Sequence, residues 1–159
     1  GIAHPISQPF SIHLDATLAN VEGTPASGGV PATEATGQEL YASAQLIGTS
    51  LFKEGDLGII GVRYADTSTS VRYGLDLNTR YPVSRAFKVN PRLRVSYREN
   101  KNDDGTQLSA RPSFRLNYQL GRHASFEADV GTEWQQTSSS SMREQSWDYL
   151  VTAGYRLDF

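Results

Sequence analysis

Few side chains in this sequence are of a type and spacing that could do chemistry. His4, His13 and His123 are its only histidines. His13 stands two residues before Asp15, and in an extended chain that spacing puts imidazole and carboxylate on one face. A carboxylate beside an imidazole can orient a general base, and Glu127 and Asp158 are the further carboxylates expected nearest to it. The same arrangement serves a polar network without catalysis, and that is the reading adopted for His13 and Asp15. Asn102-Asp103-Asp104-Gly105 is acidic, but it has the length of a hairpin loop and not of a calcium loop, so its residues read as turn formers. The chain has no cysteine, which removes disulfides, thiolate metal sites and a cysteine nucleophile. It contains no G-x-S-x-G elbow, no phosphate-binding glycine loop and no H-E-x-x-H. No catalytic residue, metal ligand or cofactor is assigned, and no enzymatic activity is expected.

What must position these groups is constrained by length and composition. The 159 residues suit a single domain spanning 1–159, with 38 % hydrophobic and 20 % charged residues. A net charge of −2 supplies no basic field for a nucleic-acid partner. No apolar run reaches the length of a membrane helix, and Gly1-Ile2-Ala3-His4 lacks the charged-then-apolar pattern of a leader. Mean hydropathy is below zero. A membrane barrel with a polar lumen also shows weak average hydropathy, so the period of the pattern has to decide.

That period is two. From Trp147 onward, Trp147, Tyr149, Val151, Ala153, Tyr155, Leu157 and Phe159 alternate with Asp148, Leu150, Thr152, Gly154, Arg156 and Asp158. The same split gives eight strands at about 9–21, 38–51, 57–65, 70–83, 86–99, 106–120, 124–136 and 146–159. Short links at 52–57, 83–86 and 121–125 alternate with longer Gly, Ser, Thr, Asn and Asp-rich ones at 22–38, 98–106 and 136–146. Short turns at one end and long loops at the other are the pattern of an up-and-down barrel. The expected fold is all-β, an eight-stranded antiparallel up-and-down transmembrane β-barrel.

Aromatic placement chooses the face. Thirteen of the sixteen aromatics fall into two girdles on the apolar face. Phe10, Tyr81, Phe87, Tyr118, Phe126, Tyr155 and Phe159 lie towards the short turns, and Tyr64, Tyr73, Tyr97, Trp134, Trp147 and Tyr149 towards the long loops. Tyr41, Phe52 and Phe114 stand outside the pattern. Amphipathic rings favour the headgroup level, whereas a soluble core has no reason to exclude them from its middle. The opposite face is charged in blocks. Arg63, Arg72, Arg80, Lys88, Arg92, Arg94, Arg98, Arg111 and Arg115 accompany Asp76, while Asp15, Glu127, Asp129, Glu133, Asp148 and Asp158 accompany Arg156. Because buried charges persist only when paired, Arg92, Arg94, Arg111 and Arg115 are expected to meet Glu127, Asp129, Glu133 or Asp148 across a filled lumen. Pro91 and Pro112 fall inside strands and are expected to mark bulges.

The ending Tyr155-Arg156-Leu157-Asp158-Phe159 resembles the terminal-strand signal of bacterial outer-membrane barrels. With the strand number, loop asymmetry and girdles, the chain is similar to the small eight-stranded class of outer-membrane protein A or X. That resemblance implies an outer-membrane location, a lipid bilayer and lipopolysaccharide as surroundings, and recognition of Tyr155, Leu157 and Phe159 by the barrel assembly machinery. It implies a membrane anchor or surface-interaction barrel whose ligand meets the loops. The strands also resemble those of exopolysaccharide-export porins, in which case the chain is the C-terminal part of a larger barrel and its arginines favour anionic solutes. His123-Ala124-Ser125 with Glu127 resembles the His-x-Ser spacing of lipid A deacylases, but Phe126 stands where those have Asn, and the segment reads as a turn.

Overall fold

Strict alternation leaves no stretch able to fold as an amphipathic helix, and the computed structural model is all β among the described residues. Those residues are 1–35, 37–140 and 142–157. The strands are β1 Ile2–Ser7, β2 Phe10–Val21, β3 Gly37–Thr49, β4 Leu57–Asp66, β5 Ser70–Pro82, β6 Phe87–Asn100, β7 Thr106–Leu120, β8 Ala124–Ser138 and β9 Arg143–Leu157. They form one sheet in chain order, each antiparallel to the next.

Two expectations need correction. The strand number is nine and not eight, because Ile2–Ser7 folds back on β2 with Ile2 opposite Leu14. Its alternation is short and interrupted by Pro5, where the register shifts between Pro5 and Ser7. The sheet is also open, since no pairing among the described residues joins β9 to β1. Antiparallel succession makes β1 and β9 run in the same direction, so joining them directly would need a parallel pair.

The prolines do not shift the register. Pro91 pairs with Phe114 and Pro112 with Leu93 across the β6–β7 ladder. On its other side the β5–β6 ladder is interrupted between Asn78↔Arg92 and Tyr81↔Val89, and the β7–β8 ladder between Ala110↔Trp134 and Ser113↔Gly131. A missing N–H costs a ladder bond to one neighbour only, and the intact pairing on the other side holds the strand in step.

Cross-strand rows keep side-chain parity across the whole sheet. Leu46, Ile60, Leu77, Leu93 and Pro112 form one apolar row, and Gln45, Gly61, Asp76, Arg94 and Arg111 the polar row behind it. There is no packed interior: no hydrophobic side chain is buried among the described residues. The accessible surface is 11478 Å², against about 7,900 Å² for a compact soluble monomer of this mass. A single sheet with both faces open leaves its apolar face exposed. The polar face is concave, with a hollow of about 440 Å³ between β2 and β6 lined in part by Asp15, Tyr41, Ser43, Arg63, Arg72 and Arg94.

The β3–β4 turn is held by one carboxylate. Asp56, only 6 % exposed, accepts N–H groups from Leu51 and Phe52 at 2.7 Å and from Lys53 at 2.9 Å. Burial alone would push this carboxyl up; the N–H groups of Phe52, Lys53, Leu51 and Ser50 outweigh it and hold Asp56 below the ordinary aspartate range. Ser50 and Gly55 supply the left-handed backbone, with φ of 55° and 83°. Lys53 Nζ then donates to the Val83 carbonyl at 2.9 Å, tying this turn to the one between β5 and β6.

Candidate functional site

The register puts most of the charged strand residues on the polar face, with Asp66 and Glu99 among the exceptions, and the described strand aromatics other than Tyr41 on the opposite face. At the centre of the polar face Asp76 of β5 lies between two guanidinium groups, Arg63 Nε on β4 at 2.8 Å and Arg94 Nε on β6 at 2.6 Å. Arg63 reaches it because Gly74 stands directly opposite. A Cβ built on Gly74 would lie 3.4 Å from Arg63 Nε. On β7 and β8, Arg111 Nε donates to Glu133 Oε2 at 2.9 Å. Arg115 Nε donates to Asp129 Oδ1 at 2.9 Å, with Arg115 Nη1 3.4 Å from Glu127 Oε1. Ser96 and Ser109 share a hydroxyl hydrogen bond of 2.7 Å between the two groups.

These pairs differ from the expected ones. Arg111 and Arg115 do meet Glu133, Asp129 and Glu127, but along the β7–β8 ladder and not across a lumen. Arg94 takes Asp76, and Arg92 has no carboxylate within 4 Å among the described residues. The physical reason is reach: strands side by side are about 4.8 Å apart, so an adjacent carboxylate wins over one on a distant strand. Asp148 stands opposite Glu133, and Arg156 opposite Ser125. Asp15 lies opposite Ser43, and His13 opposite Gln45, on the flank of the sheet farthest from Glu127 and β8. Asp158 and Phe159 lie outside the described residues.

Pairing leaves a cationic remainder. Arg72 and Arg80 on β5 and Lys88, Arg92 and Arg98 on β6 have no carboxylate within 4 Å among the described residues. Arg72 and Arg98 are directly opposite each other, as are Arg94 and Arg111. Like charges so placed destabilise a sheet. Arg94 and Arg111 each have a carboxylate, whereas Arg72 and Arg98 have none. Arg92 Nε and Arg98 Nε are shielded from solvent without a hydrogen-bond partner.

On the apolar face the aromatics make ring contacts across strands. Tyr64 and Tyr73 have centroids 5.4 Å apart and Tyr73 and Tyr97 6.4 Å apart, near the long loops. Trp134 and Trp147 meet at 6.5 Å on the same side. Phe87 and Tyr118 meet at 6.3 Å near the short turns, where Phe126 stands opposite Tyr155. Tyr81 is opposite Val89, and Lys53 Nζ lies 5.9 Å from its ring centroid. Tyr149 and Leu157 belong to β9, which is exposed along its whole length.

Two features escaped the sequence reading. The strand β1 was hidden by its brevity and its proline. Tyr41, set aside as an aromatic out of place, shares strand parity with Glu39, Ser43 and Gln45 and so belongs to the polar face. Its hydroxyl donates to Glu39 Oε2 at 2.6 Å. His123 sits in the β7–β8 turn after Gly121 (φ 68°), and Ser125 and Glu127 lie beyond it on β8. No group of three potential metal ligands occurs among the described residues. No family model matches the chain, and neither a curated protein nor a solved structure matches it.

Proposed function

We propose that this chain forms wall of a bacterial outer-membrane β-barrel, non-enzymatic, with lipid and lipopolysaccharide against its aromatic-banded face and water against its arginine face. The observation that carries this is a single sheet without a buried apolar side chain among the described residues, whose apolar face bears two aromatic bands. Tyr73 to Tyr81 and Trp147 to Tyr155 are each eight residues apart. That is about 26 Å along a strand, or about 20 Å of membrane depth at a barrel strand's tilt, close to the usual apolar band. Assembly through Tyr155 and Leu157 with Phe159, and a ligand at the long loops, belong to the same reading.

Within that reading we favour a solute-conducting lumen over a plugged anchor. Five cations with no carboxylate within 4 Å among the described residues would focus an attractive field on anionic solutes, and the open sheet suits a wall completed by further strands. The anchor reading draws on a different observation: β2 and β9 run antiparallel, so β2–β9 alone is an even set able to close. Planar-bilayer recording separates the two. Large, stable, anion-preferring openings are expected. Silence from a sample whose heat-modifiable gel shift shows folding and whose vesicle flotation shows insertion would favour the anchor. Failure to float with vesicles would overturn the membrane reading.

A further inference from the structure

We infer that Tyr41, Arg72 and Arg98 form a binding site for an acidic sugar, a ring-shaped solute bearing a carboxylate or phosphate, on the concave polar face towards the long loops. The inference rests on the reading of that face as a solute-facing wall. One cross-strand row carries the three residues: Tyr41 on β3, Ala65 on β4, Arg72 on β5 and Arg98 on β6. Ala65, between Tyr41 and Arg72 in that row, contributes only a methyl group.

Three observations point to a ligand there. Arg72 and Arg98 are an opposed like-charge pair with no carboxylate within 4 Å among the described residues, an arrangement that destabilises the empty sheet and that a bound anion relieves. Arg98 Nε is shut off from solvent with no hydrogen-bond partner among the described residues, a donor whose desolvation they leave without compensation. The hollow of about 440 Å³ is lined by Tyr41 and Arg72, with Arg98 outside its lining but directly opposite Arg72, and that volume is within the range of small-molecule sites.

The residue types specify the ligand. Two adjacent guanidinium forks match the planar, two-oxygen face of a carboxylate or the oxygens of a phosphate. Tyr41 is the one aromatic among the described strand residues on the polar face, and its bond to Glu39 at 2.6 Å fixes the hydroxyl end. Its exposed ring offers an apolar plate for the C–H face of a sugar. An inorganic anion would engage the forks alone; an acidic sugar engages forks and ring together.

The test uses the full chain folded in detergent micelles, titrated by calorimetry with glucuronate, glucose 6-phosphate, inorganic phosphate and neutral glucose. One or both acidic sugars should bind, weakening with added salt, and should bind more tightly than phosphate or glucose. Whichever of the two is stronger assigns carboxylate or phosphate. Arg72→Gln and Arg98→Gln should each weaken binding about tenfold or more, the loss expected for a charge-assisted hydrogen bond. Arg72→Lys, which keeps the charge and so the fold, should also weaken it by removing the fork. Tyr41→Ala should erase the preference for acidic sugars over inorganic phosphate. Absence of binding, unchanged affinity in the arginine variants, or phosphate binding as tightly as the sugars would overturn the inference. Vesicle flotation of the same samples reports on the membrane reading separately: a sample that inserts but does not bind sinks the site alone.

Discussion

Asp76 neutralises two arginines at once, and this unequal sharing makes its neighbours unequal in importance. Arg94 is 56 % exposed, and its removal leaves Asp76 still paired with Arg63 at 2.8 Å. Arg94→Ala should therefore cost about 1 kcal/mol or less, the range of exposed ion pairs, and not the large loss of a pair plugging a lumen. Asp76→Asn leaves Arg63 and Arg94 facing each other uncompensated and should lower the thermal midpoint more than either arginine variant does. Asp56 makes the pH-dependent contribution. Its carboxyl is held below its ordinary value of 3.8, so it binds its proton less readily folded than unfolded. Its stabilisation is present in full above the unfolded value and is lost as pH falls through the lower, folded one. Thermal melts of wild type and Asp56→Asn should differ at neutral pH and converge under strong acid. The partners of Asp76 were not legible in the sequence, because alternation gives a residue's face but not the strand-to-strand register that sets its neighbours.

At the scale of the element, proline shows how far a local rule reaches. Pro112 removes a donor on the β8 side, but its pairing with Leu93 keeps the strand in register. Pro112→Val should restore a ladder bond to β8 and raise stability by about 0.5–1.5 kcal/mol, read from the unfolding midpoint in denaturant. A fall in stability would show that the interruption is needed to shape the strand. The eight long strands were legible because each repeats its alternation over many residues. A strand of six residues containing a proline, such as β1, carries too few periods to stand out, and only pairing with β2 reveals it.

For the whole molecule, the decisive property is the apolar face and what covers it. Leu77 and Val95 stand in its middle rows, opposite Leu93 and Ala110. Leu77→Arg or Val95→Arg should cost about 2–4 kcal/mol if lipid covers that face, measured by urea titration in vesicles. Tolerance of both would mean that the face meets water or another polar surface. The open order from β1 to β9 leaves two edges with unpaired backbone groups. Such edges are incompatible with a hydrocarbon environment, so closure by a β2–β9 pairing or by added strands belongs to the same proposal as the membrane.

The sequence by itself determined the β class, the long strands, the turn and loop ends, and the two faces with their aromatic bands and charge blocks. These are all consequences of a period of two, which is a local property of an extended chain. The tertiary structure alone decided the ninth strand, the open edges, the ion pairs between neighbouring strands and the place of Tyr41 in one cross-strand row with Arg72. These depend on which residues of different strands come opposite one another, and that register is set by the pairing of whole strands rather than by any stretch of sequence read alone.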